Sequence, residues 1–240
     1  MKSLRVLMLL AVCLGVVSCV DGQFYRSVSG SGNVVKKDRA LSGFDGVKVS
    51  SGIDVYLSQG DNESVVVEAD DNLQEYILTE VKDGKLHVYS DNISIRHAEK
   101  ERVYVTMKTI KSLKTTSAGD IIGETAIKCD DIELSATSSG DIKIELYAKK
   151  VDLDISSAGN IKLNGEGESL NADLSSAGDL HAFDFRVKDA DVSVSSAGSA
   201  DVFASDKLVA RASSAGDINY KGNPKYVDAH SSSAGGIHSR

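Results

Sequence analysis

Val151-Asp152-Leu153-Asp154-Ile155-Ser156-Ser157-Ala158-Gly159-Asn160-Ile161-Lys162-Leu163 decides the fold. On both sides of Ser157-Ala158-Gly159 every second residue is apolar, the mark of two strands that each bury one face. No 3.6-residue helical period survives in it. The phrase recurs at Gly119, Gly140, Gly159, Gly178, Gly198, Gly216 and Gly235, at intervals of 21, 19, 19, 20, 18 and 19 residues. A period near 20 is the signature of stacked repeats. The sequence therefore predicts an all-β chain, a β-helix or β-solenoid with coils of 19–20 residues. Each coil reads as strand, tight Ser-Ala-Gly-Asp turn, strand and a looser return.

Stacking turns each repeated position into a column. The glycine column, with Gly52 as its worn N-terminal member, is expected to supply positive φ at little cost. Two residues earlier stand Ser117, Ser138, Ser157, Ser176, Ser196, Ser214 and Ser233. Parity with the apolar positions turns them inward, so a buried hydroxyl ladder is expected. The intervening alanines are expected where little space remains. After the glycine come Asp120, Asp141, Asn160, Asp179, Ser199, Asp217 and Gly236. Asp120 and Asp141 are the direct neighbours in that column and the candidates for a cation site. One carboxylate per coil is a poor match to the six to eight oxygens of calcium, and Asp and Asn favour turns by bonding their own backbone. The column reads as turn chemistry, with no metal and no cofactor.

The first 18 residues form a targeting segment. Lys2 and Arg5 precede the twelve-residue apolar run Val6–Val17, which is too short to span a bilayer as a helix but suits an export signal. Val16-Val17-Ser18-Cys19 resembles a bacterial lipobox, making Cys19 the expected lipidation site; cleavage after Gly22 is the alternative. Residues 19–39 are expected to be a tether and N-terminal cap, and residues 40–240 the solenoid. Without the signal, 25 Lys and Arg stand against 35 Asp and Glu, a balance that disfavours nucleic acid and anionic lipid surfaces. Membrane contact is then expected only through the anchor. Cys129 would be the sole remaining thiol, read as a small core residue.

The N-terminal part carries the rhythm in worn form. Val47-Lys48-Val49-Ser50-Ser51-Gly52-Ile53-Asp54-Val55 repeats the strand, serine, glycine, strand order, and Leu86 to Ile95 does so again with Asn92 in the turn. Asp71-Asn72 falls midway, with a short helical turn open over 72–76, and the charged stretch 96–102 reads as a solvated loop. The segment Leu41–Val47, Ser51–Leu57, Gln59-Gly60 and Val81–Leu86, with the later Ser-Ala-Gly-Asp turns, resembles the putative auto-transporter adhesin, head GIN domain family. The resemblance covers about residues 40–240. It implies a right-handed β-helix, shaped like pectin lyases without their catalytic residues, and an adhesive role.

No catalytic constellation emerges from the residues themselves. The five histidines (His87, His97, His181, His230 and His238) are scattered, and the serines have no base at a fixed offset. Tryptophan is absent, and the tyrosines form no single column. The expectation is a non-enzymatic outer-membrane lipoprotein, on the surface or facing the periplasm, acting as an adhesin-like or scaffold module for a glycan or protein. A carbohydrate-active β-helix enzyme and a periplasmic assembly factor are the alternatives. Solenoid ends expose unpaired edges, so homo-oligomerisation through them is expected.

Overall fold

The structure, a computed structural model, describes residues 26–91 and 93–240. The signal segment, Cys19 and the Asn92 turn lie outside the described residues. Nine strands form the N-terminal block: β1 (Arg26–Ser29), β2 (Val34–Arg39), β3 (Gly46–Val49), β4 (Asp54–Gln59), β5 (Ser64–Asp70), β6 (Ile77–Lys82), β7 (Lys85–Ser90), β8 (Ile93–Arg96) and β9 (Glu101–Met107). Ten more build the repeats: β10 (Ser112–Thr115), β11 (Asp120–Gly123), β12 (Ile127–Thr137), β13 (Asp141–Ser156), β14 (Asn160–Leu174), β15 (Asp179–Val194), β16 (Ser199–Ala212), β17 (Asp217–Lys221), β18 (Tyr226–Ser231) and β19 (Gly236–Ser239). Successive repeats pair in parallel and in register, so the chain is a β-solenoid of about seven turns. At ~4.8 Å per coil the stack is roughly 34 Å tall.

Register makes the core a set of apolar columns. Ile132, Val151, Leu170, Ala190 and Leu208 form one; Ile121, Ile142, Ile161, Leu180, Ala200 and Ile218 form another. Each is at most 3% exposed. The expected looser return is instead continuous strand: β13 to β16 run for 14–16 residues, and β13 and β15 bend where two successive residues face solvent. Lys149-Lys150 and Lys188-Asp189 mark such bends. The corner places Asp130, Lys149, Glu168, Lys188, Asp206 and Lys225 one per coil, alternating in charge. Lys149 meets Asp130 at 2.7 Å, Lys188 meets Glu168 at 3.6 Å and Lys225 meets Asp206 at 2.6 Å.

The unequal intervals of 20 and 18 residues around Gly198 have a local cause. Pairing shifts register between Lys162 and Asn164 and again between Ala182 and Arg186. The bulge carries Phe185 inward, 0% exposed, opposite Gly165. A Cβ on Gly167 would come within 2.8 Å of the Phe185 ring, so the glycine makes room for it.

The N-terminal block keeps the expected coils in part: β3 and β4 stack in parallel on β10 and β11, and β7 stacks in parallel on β3. Antiparallel strands complete it: β5 lies between β2 and β9, and β6 pairs with β7. A 3₁₀ turn covers Asp71–Leu73, close to the helical turn anticipated there. Residues 26–29, placed in the tether by sequence, form a strand beside β8. Within the stretch 96–102, Glu101 and Arg102 begin β9 rather than a loop.

Candidate binding surface

Each repeat turn closes with the glycine N–H donating to the carbonyl three residues earlier, as from Gly178 to Ser175 at 3.0 Å. The serine column takes φ of 50–55° and the next residue 58–64°. Positive φ at both central positions is the pattern of type I′ turns. Two expectations are overturned here. Positive φ belongs to the Ser and Ala columns, not to the seven repeat glycines. And Ser117, Ser138, Ser157, Ser176, Ser196, Ser214 and Ser233 are exposed, as are the residues that follow them, so there is no buried hydroxyl ladder. The left-handed backbone reverses the parity that a continuous strand would impose. The serine carbonyls form the ladder instead, accepting from the neighbouring coil at 3.0–3.2 Å, for example Ala177 N–H to Ser196.

Glycine is required because its Cα lies against the preceding coil. A Cβ on Gly178 would sit 2.8 Å from the Ile155 carbonyl oxygen, one on Gly216 2.8 Å from that of Val194, and one on Gly159 would overlap the Ala136 carbonyl. Gly52 is out of step with this column. Asp54 pairs with Asp120, so Gly52 (φ 69°) matches Ala118 and the fully buried Ile53 takes the glycine position.

The aspartate column is longer than the sequence suggested, because Asp54 joins Asp120 and Asp141 in register. Desolvation pushes the Asp120 carboxyl above its ordinary range, and the charges of Asp141 and Asp54 add to that. Burial raises Asp54 as well, against the pull of Arg102. The turn role expected of this column takes another form: Asp120 Oδ1 accepts from the Asp141 N–H of the next coil at 3.1 Å. Among the described residues no three His, Cys, Asp or Glu side chains come together as a metal-binding set. Cys129 is half-buried, and desolvation first, then Asp130 and Asp131, push its thiol up to about 11, which leaves it unreactive.

Two tyrosines do share a column. Tyr56 and Tyr104 stack at 5.3 Å, with Arg102 over one ring and Lys36 over the other. Tyr104 donates to Glu68 at 2.9 Å. Charged neighbours cover both outer ring faces, making this a cross-strand brace rather than an open stacking platform.

The principal concavity runs along the turn corner as an open trough of about 700 Å3. Ser156, Ser175, Ser195, Ser213 and Ser232 give it one hydroxyl column, one per coil, and Ser193 and Ser231 add two more hydroxyls. These serines stand immediately before the predicted ladder, so the hydroxyl array exists one residue away and on the outside. Bulkier Thr116 and Thr137 hold the same turn position in the first two repeats, beyond the trough. Asp154 and Asp173 line one end, Arg211 and His230 the other. Arg211 pairs with Asp191 at 2.8 Å and His230 with Asp228 at 3.0 Å. The signal for this site was the doubled serine before Ala-Gly, legible only once the turn's handedness is known.

A sequence model described as "Putative auto-transporter adhesin, head GIN domain" matches residues 43–224. Among solved structures, a putative adhesin from Bacteroides fragilis superposes with a TM-score of 0.82 at 20% identity, covering 89% of this chain and 100% of that one. A putative lipid binding protein from Parabacteroides distasonis gives 0.73 at 21%, covering 90% and 100%. A putative adhesin from Parabacteroides merdae gives 0.72 at 22%, covering 90% and 99%. At these identities the likeness carries the fold. No curated protein matches the chain in sequence.

Proposed function

The chain belongs to the putative auto-transporter adhesin, head GIN domain family, and on that premise we propose that it is an exported, non-enzymatic binding module that holds a hydroxyl-rich glycan chain along the turn corner. The observation that carries this reading is the trough itself, five coils long, with at least one hydroxyl from every coil and both charge signs at its ends. A linear ligand with a repeating polar edge could meet the same group at each ~4.8 Å step. The acidic balance of the chain, with 35 acids against 27 cations, steers away polyanions. Anchorage through a lipid on Cys19 would place the module on the cell envelope.

The arrangement of titratable groups supports binding over catalysis. Asp154 and Asp173 are register neighbours on the same wall, whereas a glycosidase pair must flank the scissile bond from opposite sides. His230 is four coils from Asp154 in the same outward column, roughly 19 Å away. That is beyond the reach of concerted proton transfer. Incubation with a panel of neutral and uronic-acid polysaccharides tests the point: chain lengths should stay unchanged, and released oligosaccharides would contradict the reading. Protease shaving of intact cells should remove the protein, whereas full protection would assign it to the periplasm.

A further inference from the structure

The two ends of the solenoid differ in kind. At the N-terminal end the outer strands are β2, carrying Lys36, Lys37, Asp38 and Arg39, and β6, carrying Glu80 and Lys82. Such charge blunts an edge against further pairing. At the other end the outer strands are β18, Tyr226-Val227-Asp228-Ala229-His230-Ser231, and β19, Gly236-Ile237-His238-Ser239. These strands carry one carboxylate and neither Lys nor Arg. Among the described residues nothing pairs with their outer edges.

That edge is also apolar where the core reaches it. Val227 continues the column of Leu208, Ala229 that of Ala210, and Ile237 that of Ile218. The three residues beneath are 0% exposed, but Val227 is 42% exposed and its neighbour Tyr226 55%. Tyr147 is the other exposed large apolar or aromatic side chain among the described residues, and it lies on β13.

We propose that this end is a docking surface for a second copy of the chain, joined tail to tail by antiparallel pairing of β18 with its counterpart. A head-to-tail contact would set the apolar edge against the charged strands β2 and β6. A two-fold contact sets like against like and closes without leaving a new edge. Residues directly opposite in an antiparallel pair point to the same side, so the two-fold axis must pass through a residue for Val227 and Ala229 to remain in a shared core. Centring on Asp228 would oppose two carboxylates. Centring on Ala229 instead sets Asp228 of each copy against His230 of its partner and continues both cores, and the proposed dimer takes that register.

Sedimentation equilibrium of the purified full chain, over a wide concentration range, tests the surface. A reversible dimer is expected. Val227→Lys, which gives this edge the charge found at the other end, should weaken it at least about tenfold while leaving circular dichroism and thermal unfolding unchanged. Ala229→Cys should yield a covalent dimer on mild oxidation, with the wild type, retaining Cys129, as the control. A wild-type monomer at every concentration, a dimer indifferent to Val227→Lys, or failure of Ala229→Cys to cross-link in a dimeric protein would each overturn the proposal. Where Val227→Lys unfolds the protein, the Ala229→Cys cross-link decides alone.

Discussion

Ser176 and Ala177 hold φ of 52° and 60°, a region that costs a residue with a Cβ about 1–2 kcal/mol. The conformation persists because the serine carbonyl ladder and the glycine contact behind it admit no other turn. Ala177→Gly should therefore be neutral or stabilising by up to about 1 kcal/mol. Gly178→Ala, next to it, should cost about 1–3 kcal/mol by driving a Cβ into the Ile155 carbonyl. Chemical denaturation of the two variants separates a glycine needed for its φ from one needed for close approach. A second residue-scale outcome concerns Asp120, whose carboxyl ionises less readily in the fold than in the open chain. A raised folded-state pKa contributes stability that is complete below the ordinary Asp range, about 4, and is lost as pH rises through the folded value. Asp120→Asn should thus raise the melting temperature at pH 7, and the gain should vanish near pH 3.5.

Single elements carry two devices that regular stacking alone would not require. The bulge in β15 buries Phe185 over the small residues Gly165 and Gly167. Phe185→Ala should cost about 3–5 kcal/mol by denaturant titration, since no other side chain can fill the widened coil. The corner ladder of Asp130, Lys149, Glu168, Lys188, Asp206 and Lys225 resists slippage, because Lys149 and Lys188 each lie between two acids and Lys225 pairs with Asp206. Lys149→Glu should lower the melting temperature at low ionic strength, and the loss should fade at about 1 M salt, where exposed charges are screened. Strand existence and register were legible in the sequence, because a two-residue alternation with a 19-residue period leaves one way to bury the apolar faces. The corner ladder was written at the same period but hidden, since Asp130-Asp131 and Lys149-Lys150 look like ordinary solvated doublets when read along the chain. Serine orientation was misread for a different reason: parity fails across two left-handed residues, and amino-acid type does not announce them where Ser-Ala stands in place of Asn-Gly.

At the scale of the whole molecule, the two proposals divide between a side and an end. Along the side, the turn corner offers a trough that repeats once per coil; at the end, β18 offers an unblunted apolar edge. The N-terminal block was legible in part: β3, β4 and β7 keep the parallel stacking of the worn repeats, whereas β2, β5 and β6 pair antiparallel, where sequence period and spatial order no longer coincide. The repeat phrase itself describes the scaffold, and in the proposed function the ligand would be met by what flanks it: Asp154, Asp173, Arg211 and the first serine of each turn. Blocking the trough tests this most directly. Binding of the purified protein to an array of immobilised glycans and matrix proteins should select linear neutral glycans, and Ser175→Tyr with Ser195→Tyr should abolish that signal while leaving the melting temperature and chain lengths of the bound glycans unchanged. Binding that survives both tyrosines, capture of matrix proteins alone, or shortening of the glycans would contradict the account.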